Sequence, residues 1–449
     1  MTLPRPMEAL ASFDGQRVAV VGLGIEGQDA EMFLRREGAE VIRVDRQPER
    51  ADRSPDDLSL LDEVQSLVVS QGVPYDLPLL VDAARRSVPV FGPVQIFLER
   101  CPANQVIGIT GSAGKTTTTT LVHRMLEAAA VPTALGGNIG QGLLQQLPDI
   151  SADTTVVAEI SHTQLLRTTR SPHVAAITNI TPNHLDQFSW DEYQELKYRI
   201  VEYQTSQDRV VLPLDEPLAA RAMTRTPAAA SWFGLSRSPC AATAFSDGEQ
   251  IVRNDSLLMA VEELLIPGEH NLRNALAALA IVGDLVPDDI AADVLRSFTG
   301  VPHRLELVAE VGGVRFVNDS IATTPERTLA GLRAIPGPIV LMLGGRDKKL
   351  PLDPLLPELD RHVREVVLFG EAAPTWSRWL SEQRIHHVRL DTFASAFEQA
   401  AEAAQHGETV LMSPGGTSFD AYPNFEARGQ HFRELVARRL PGRRPDNVG

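Results

Sequence analysis

The residues that point most directly to chemistry form a glycine-rich loop at positions 108–116, with the sequence GITGSAGKT. Successive backbone N–H groups in such a loop surround phosphate oxygens at the N-terminus of the following helix. The ammonium group of Lys115 would reach the β- and γ-phosphates of a nucleotide, and the hydroxyl group of Thr116 would bind magnesium. Residue 109 is isoleucine, so the spacing differs by one position from the strict GxxxxGK pattern. The strand, loop, lysine and helix nevertheless predict an ATP site.

A second glycine pattern, GLGIEG, occupies positions 22–27 between a predicted strand and a predicted helix. Asp45 ends the next predicted strand, about 20 residues further on. Glycines at these positions allow the backbone to approach a diphosphate, and the acid can bind a ribose. A dinucleotide and a nucleotide-sugar diphosphate require the same two features, and a tight turn without a ligand would also account for the glycines. The pattern alone leaves these three interpretations open.

Both loops lie within a repeated alternation of strands and helices. Such an alternation predicts βαβ units, parallel sheets and therefore an α/β fold. At about 150 residues per domain, 449 residues suggest three domains. We place them at residues 1–98, 99–302 and 303–449, with a hinge at 299–304. The predicted strands are 17–21, 40–44, 66–70, 154–160, 174–180, 314–318, 339–343, 365–369 and 409–413, with a further strand that begins at 106 and leads into the glycine-rich loop. The predicted helices are 28–36, 191–204, 270–285, 325–334, 394–404 and 426–438, with a further helix that follows the glycine-rich loop and ends near 130, and 224–255 is predicted to be β-rich or loop.

Composition excludes several classes of protein. The net charge of −16 argues against a nucleic-acid-binding protein with a broad basic face. Without an apolar run of 18 residues no membrane span is expected, and the N-terminal sequence does not read as a secretory signal. Two cysteines, Cys101 and Cys240, cannot build a disulfide framework. We therefore expect a soluble, cytoplasmic, monomeric protein that acts on small molecules.

The order of the motifs resembles the Mur ligases of peptidoglycan synthesis. The resemblance runs from residue 22 to residue 428 and is greatest to the members that add glutamate. It is carried by TGSAGKTTTT, GGNIG, AEISHTQL, TNITPNHLDQ, Lys197, GEHNLRNALAA, FTGVPHRLE, NDSIATTPE, LGGRDKK and SPGGTSFDAYPNFEARG.

This resemblance implies a fold and a reaction. The fold would comprise a Rossmann-like N-terminal domain for the UDP part of the substrate, a central P-loop ATPase domain with a parallel sheet, and a Rossmann-like C-terminal domain for the amino acid. The reaction would use ATP to convert the carboxylate of UDP-N-acetylmuramoyl-L-alanine into an acyl phosphate, which the amine of D-glutamate then attacks. Two Mg²⁺ ions would screen the two anions from each other.

The resemblance also implies residue roles, with catalysis assigned to Lys115, His184 and Lys197. The residues expected to bind ATP are Gly111, Ser112, Ala113, Gly114, Lys115, Thr116, Thr117, Asn271, Asn274, Arg304 and Asp319. Those expected to bind the UDP substrate are Gly24, Ile25, Glu26, Asp45, Asn138 and Gln164, and those expected to bind glutamate are Thr323, Lys348, Ser418 and Phe425. Those expected to bind metal are Thr116, Glu159, His184 and Lys197, the last as a carbamate formed with carbon dioxide. The alternative for Lys197 is an exposed helix lysine paired with Asp191 or Glu192.

Some positions depart from the family pattern. Ala113 replaces an asparagine, His162 begins a changed HTQ segment, and Arg46 follows Asp45 where contacts to uracil are expected. Ile321 stands where glutamate-adding members carry lysine, and a related branch that adds L-glutamate has a similar segment. Addition of L-glutamate is therefore the first alternative. The others are folylpolyglutamate synthase and, outside enzymes, a nucleotide-regulated NAD-binding switch.

Overall fold

The computed structural model describes residues 12–183, 187–235, 243–266 and 268–440. It divides into two compact units, the first ending at Phe298 and the second beginning at Thr299. Both units are α/β structures with mostly parallel sheets, as predicted. In the described residues no helix is both long and apolar enough to cross a membrane.

The first unit begins with a four-stranded parallel sheet. Its strands are β1 (Arg17–Val21), β2 (Glu40–Val44), β3 (Ser66–Val69) and β4 (Val90–Phe91), and its helices are α1 (Ile25–Arg36), α2 (Pro78–Arg85) and α3 (Pro93–Arg100). The strand order is β2-β1-β3-β4. The last four residues of β1 are all buried, as expected for a central strand covered on both faces.

A nine-stranded sheet forms the rest of the first unit. Its strands are β5 (Gln105–Thr110), β6 (Thr133–Gly137), β7 (Thr155–Glu159), β8 (Val174–Ile177), β9 (Arg209–Pro213), β10 (Ala229–Gly234), β11 (Ala244–Ser246), β12 (Gln250–Arg253) and β13 (Ser256–Ala260). Its helices are α4 (Lys115–Ala128), α5 (Leu143–Gln146), α6 (His162–Leu165), α7 (Trp190–Tyr198), α8 (Leu218–Met223), α9 (Glu269–Val282) and α10 (Asp288–Ser297). The order is β13-β12-β11-β10-β9-β8-β5-β7-β6, and only the β11-β12 and β12-β13 pairs are antiparallel among the described strands.

The second unit contains a six-stranded sheet. Its strands are β14 (Glu306–Val311), β15 (Val314–Asn318), β16 (Ile339–Gly344), β17 (Val363–Phe369), β18 (His387–Arg389) and β19 (Thr409–Gly415). Its helices are α11 (Pro325–Ala334), α12 (Leu356–His362), α13 (Ala373–Glu382), α14 (Phe393–Ala403) and α15 (Phe425–Arg438). The order is β14-β15-β19-β16-β17-β18, with the β14-β15 hairpin antiparallel and the other pairs parallel.

The topology of the nine-stranded sheet brings together the loops that carry the predicted chemistry. Strand β5 lies between β7 and β8, and all three strands are parallel. The glycine-rich loop at residues 111–114, called the phosphate loop below, follows β5. Glu159 is the last residue of β7, and Thr178 and Asn179 follow β8. Because parallel strands end at the same edge of a sheet, these side chains converge at the carboxyl edge.

One predicted helix is much shorter than expected. The helix predicted at 191–204 is α7, which begins at Trp190 and ends at Tyr198. Its start is fixed by a capping box. The Ser189 hydroxyl oxygen accepts from the backbone N–H of Glu192, and the Glu192 carboxylate accepts from the backbone N–H of Ser189. The predicted β-rich segment at 224–255 contains β10, β11 and β12.

Candidate active site

The phosphate loop adopts a conformation that depends on its glycines. Gly111 and Gly114 have φ values of 154° and 79°, which favour glycine. A Cβ atom at Gly111 would overlap the hydroxyl group of Thr178, and one at Gly114 would overlap the side-chain amide of Asn274. Helix α4 begins directly after Gly114, so the N–H groups of its first turn are directed toward the loop.

Neighbouring loops hold the phosphate loop in place. The backbone N–H of Ser112 donates to the carbonyl oxygen of Asn179 (3.0 Å), and that of Ala113 donates to the Asn179 Oδ1 (3.0 Å). The Ser112 hydroxyl donates to the Thr181 carbonyl (2.9 Å). These two backbone N–H groups are therefore engaged within the protein.

Two lysines converge on this loop. Lys115 Nζ donates to the carbonyl oxygens of Gly111 (2.8 Å) and Ser112 (3.2 Å). Lys197 Nζ, from α7, donates to the same Gly111 oxygen (2.9 Å) and to Thr110 Oγ1 (3.2 Å). Lys197 is only 1% exposed. Burial, and then the nearby ammonium group of Lys115, hold the pKa of Lys197 well below its usual value, although Glu159 acts in the opposite direction.

The alternative interpretation of Lys197 is therefore wrong. An exposed helix lysine paired with Asp191 or Glu192 would lie on the solvent face of α7, whereas Lys197 lies on its buried face. The Glu192 carboxylate is hydrogen-bonded to Ser189 at the start of the helix.

Glu159 offers one oxygen suited to a cation. Its Oε1 accepts from Asn138 Nδ2 (2.8 Å), and its backbone carbonyl accepts from the Asn138 N–H (2.8 Å). The carboxylate is buried, and its Oε2 has no hydrogen-bond partner among the described residues. A buried carboxylate oxygen without a partner is costly unless a cation or a proton compensates it.

Of the other predicted metal ligands besides Lys197, the structure describes Thr116 but not His184. Thr116 lies almost buried in the first turn of α4, and His184 lies outside the described residues. Within the described ranges no group of three or more His, Cys, Asp or Glu side chains could hold a metal. The Glu159 oxygen and the Thr116 hydroxyl are oxygen donors of the kind that magnesium prefers, so the residues present are compatible with a magnesium ion.

The predicted contacts to adenine share one face of α9. Asn274 is buried and packs against Gly114, and its Oδ1 accepts from Thr118 Oγ1 (3.5 Å). Its Nδ2 donates to Asn271 Oδ1 (3.4 Å). Thr117 is half-buried on α4. Two of the predicted ATP-binding groups, the loop and Asn274, are thus in direct contact.

The GLGIEG loop is supported by polar side chains. Asp45 Oδ2 accepts from the backbone N–H of Leu23 (2.8 Å), and its Oδ1 accepts from that of Gln47 (3.1 Å). The Ser70 hydroxyl, after β3, donates to the Gly22 carbonyl (2.6 Å). Asp45 therefore shapes the loop, and beside it Gly24 and Ile25 are exposed, the latter at 76%.

Two residues predicted to bind the UDP substrate are bonded to each other. Glu26 Oε1 accepts from Gln164 Nε2 (2.5 Å), and its Oε2 accepts from the Gln71 N–H (2.8 Å). Burial raises the pKa of the Glu26 carboxyl, and burial lowers the pKa of the adjacent Arg167 guanidinium to about 10. This contact links the four-stranded sheet to α6 of the nine-stranded sheet.

Sequence reasoning missed several supporting residues in this unit. The Tyr193 hydroxyl is 3.0 Å from Ser112 Oγ, and Lys197 Nζ lies 5.4 Å from the centre of its ring. The spacing of Tyr193 and Lys197, four residues apart on one helix, was the available signal. Gln71 and Asn179 act through contacts distant in sequence, which no local pattern indicates.

In the second unit, Asp319 is a buried acid whose pKa is shifted by its surroundings. It is buried, its Oδ2 accepts from Ser413 Oγ (2.7 Å), and its Oδ1 accepts from the Leu305 N–H (3.2 Å). Burial raises the pKa of Asp319 to about 7. Arg304, predicted to bind phosphates, is exposed.

The residues predicted to bind glutamate lie on neighbouring loops of the same unit. Ser418 is buried, Thr323 and Phe425 are half-buried, and Lys348 is exposed. Arg428, which sequence reasoning did not single out, connects two of these loops. Its guanidinium donates to the Ser320 hydroxyl (3.0 Å) and carbonyl (2.9 Å) and to the Gly416 carbonyl (3.2 Å).

Comparison with known protein sequences places these features in a family. Residues 109–282 match the Mur ligase middle domain, and residues 303–416 match the glutamate ligase domain of Mur ligases. The UDP-N-acetylmuramoylalanine--D-glutamate ligase of Acetivibrio thermocellus is 35% identical, covering 94% of this chain and 96% of that protein. The protein of the same name from Symbiobacterium thermophilum is 36% identical, covering 94% and 98%.

Solved structures share the fold at low sequence identity. The UDP-N-acetylmuramate-alanine ligase MurC of Thermotoga maritima superposes with a TM-score of 0.53 at 18% identity, over 94% of this chain and 99% of that one. E. coli FolC in complex with ADP gives a TM-score of 0.52 at 19% identity, over 82% and 99%. At these identities the likeness concerns the fold alone.

Proposed function

This chain belongs to the Mur ligase family, and from that premise we propose that it is the ATP-dependent ligase that joins D-glutamate to UDP-N-acetylmuramoyl-L-alanine in peptidoglycan precursor synthesis. The observation that carries the proposal is the convergence around one phosphate loop of Lys115, Lys197 and the Glu159 oxygen that has no hydrogen-bond partner among the described residues. ATP as co-substrate places the proposed reaction in the cytoplasm. We further propose three domains divided near residues 98 and 302, acting as a monomer.

The proposed reaction has two steps. A carboxylate oxygen of the nucleotide substrate attacks the γ-phosphorus of ATP, so that an acyl phosphate with a C–O–P linkage forms and ADP leaves. The amine nitrogen of glutamate then attacks the acyl carbon, loses a proton, and forms the amide as phosphate departs with the original carboxylate oxygen. Both steps bring anions together, and their barrier is lowered mainly by fixed positive charge and positioning.

Each residue of the loop region has a part in these steps. Lys115 would place its ammonium group at the phosphates, and the N–H groups of Gly114 and the first turn of α4 would hold the phosphate oxygens. Glu159, Thr116, His184 and carbamylated Lys197 would hold magnesium, which supplies further positive charge when bound. Asn271 and Asn274 would contact the adenine side, and in the second unit Arg304 and Asp319 would contact ATP.

The nucleotide substrate and the amino acid are assigned to other residues. Gly24, Ile25 and Asp45 would contact the UDP part, while Asn138 and Gln164 would face the muramoyl part. In the second unit Thr323, Lys348, Ser418 and Phe425 would hold glutamate, because hydroxyls, an ammonium group and an aromatic wall suit a small dianion.

Ile321 removes the lysine expected beside the amino acid, yet a cation remains nearby. The Arg327 guanidinium donates to the Ile321 carbonyl oxygen (3.1 Å), and its charge acts on Lys348 and Asp319. Arg327 can therefore supply part of the positive charge that an isoleucine does not, which supports glutamate as the acceptor.

Phosphate release tests the substrates. With UDP-N-acetylmuramoyl-L-alanine and ATP present, D-glutamate should stimulate phosphate release and give a product of the ligated mass, whereas L-glutamate should give neither. The two enantiomers are matched in charge and composition, so each is the control for the other. Product with L-glutamate alone would assign the chain to the L-glutamate-adding branch, and stimulation by neither would refute the proposed ligase.

A further inference from the structure

Gln71 joins three segments of the first unit that are distant in sequence. It follows β3 in the four-stranded sheet, and its backbone N–H donates to Glu26 Oε2 (2.8 Å). Its Oε1 accepts from the Ser161 hydroxyl (2.8 Å), and its Nε2 donates to Asn138 Oδ1 (3.2 Å). Asn138 in turn donates to Glu159 Oε1 (2.8 Å). A continuous chain of hydrogen bonds thus leads from Ser161 through Gln71 and Asn138 to Glu159, the carboxylate proposed to bind the metal.

The direction of this chain is fixed by its last member. The Glu159 carboxylate can only accept, so Asn138 presents its nitrogen to Glu159 and its oxygen to Gln71. Gln71 must then present Nε2 to Asn138, which leaves its Oε1 to accept from the Ser161 hydroxyl. The Ser161 hydroxyl also lies 3.0 Å from Thr163 Oγ1.

This order determines which oxygen of Glu159 is left for a cation. The Asn138 nitrogen occupies Oε1, and the backbone bond from Asn138 to the Glu159 carbonyl holds the two residues side by side. The buried Oε2 remains without a partner among the described residues. If Gln71 could not donate, the Asn138 amide oxygen would lose its donor and the restraint on the Glu159 carboxylate would weaken.

We propose that Gln71 is a positioning residue that orients Glu159 for metal binding through Asn138, so that the four-stranded sheet takes part in building the metal site of the nine-stranded sheet. The proposal rests on the proposed function, because the metal is the one that the ligase reaction requires. Residues that orient metal ligands by hydrogen bonds typically change metal affinity or activity by about 10- to 100-fold when replaced.

The test is a direct titration of Mn²⁺ by electron paramagnetic resonance, with the full chain and a non-hydrolysable ATP analogue. Gln71→Ala and Gln71→Met should each weaken Mn²⁺ binding about tenfold. Methionine matches glutamine in length but cannot donate to Asn138. Gln65→Ala is the matched control, since exposed Gln65 accepts from the Arg17 N–H (2.7 Å) at the opposite end of the sheet.

The outcomes separate the two proposals. If the parent binds Mn²⁺ and both Gln71 variants, folded by thermal melting, bind it as tightly as the parent and Gln65→Ala do, the role of Gln71 is refuted and the ligase proposal stands. If Gln71→Met binds Mn²⁺ as tightly as the parent and Gln71→Ala does not, Gln71 acts through packing and not through its hydrogen bond to Asn138, which refutes the proposed role. A parent that binds no Mn²⁺ with the ATP analogue would contradict the proposed function itself.

Discussion

Replacing Lys115 by alanine should lower the turnover of glutamate ligation on the order of a thousandfold. The ammonium group lies 2.8 Å from the Gly111 carbonyl and 3.2 Å from that of Ser112, on the loop that would surround the phosphates. In the reaction it would move onto the transferring phosphoryl group, where negative charge is redistributed. No other described side chain of this loop carries a positive charge.

Single-turnover phosphate release measures this loss directly. Binding of UDP-N-acetylmuramoyl-L-alanine by Lys115→Ala should stay close to that of the parent, because Lys115 belongs to the phosphate loop. Thermal melting of the variant checks that the fold is intact. Turnover within tenfold of the parent would remove Lys115 from the proposed phosphate site.

Replacing Lys197 by alanine should lower activity about 100-fold. In the structure Lys197 and Lys115 donate to the same Gly111 carbonyl oxygen, and Lys197 is almost fully buried. Two ammonium groups this close, with little water between them, repel each other strongly. The depressed pKa of Lys197 leaves more of its amine uncharged. An uncharged amine can attack carbon dioxide, lose a proton and become a carbamate, which replaces the second cation by an anion suited to magnesium.

Acetate and isotopic labelling distinguish a carbamate from an ordinary buried lysine. Acetate should restore part of the activity of Lys197→Ala by placing a carboxylate in the vacated space. ¹³C-labelled bicarbonate should give a carbamate signal in the parent and in the control Lys349→Ala, whose lysine is exposed, but none in Lys197→Ala. An alanine variant as active as the parent, insensitive to acetate, would leave Lys197 with a structural role only.

Strands and turns that are determined by neighbouring residues could be predicted from the sequence. Strands such as β1, β2 and β15 have the predicted bounds, because runs of β-branched residues end at glycine or polar residues. The turn between β5 and α4 was predictable from its glycines, and Lys197 is buried rather than exposed at the surface. Helix α7 was predicted to end six residues too late, because residues 199–204 continue its mixture of polar and apolar residues although the helix itself ends at Tyr198.

Features that depend on distant residues could not be predicted in the same way. The bond between Gln71 and Asn138 spans 67 residues, and that between Gln71 and Ser161 spans 90. The pairing of Glu26 with Gln164 spans 138 residues and turns two predicted substrate contacts into a link between sheets. The short strand β18 (His387–Arg389) lies at the edge of its sheet and has only three residues, too few to establish a period.

The most direct test of the proposed chemistry follows one oxygen atom. UDP-N-acetylmuramoyl-L-alanine labelled with ¹⁸O in its terminal carboxylate is incubated with the protein, ATP and D-glutamate, and the released phosphate is analysed by mass spectrometry. If the carboxylate attacks ATP and the amine then displaces phosphate, each phosphate carries one ¹⁸O from the substrate. Unlabelled phosphate, released while the ligated product accumulates, would contradict an acyl-phosphate route.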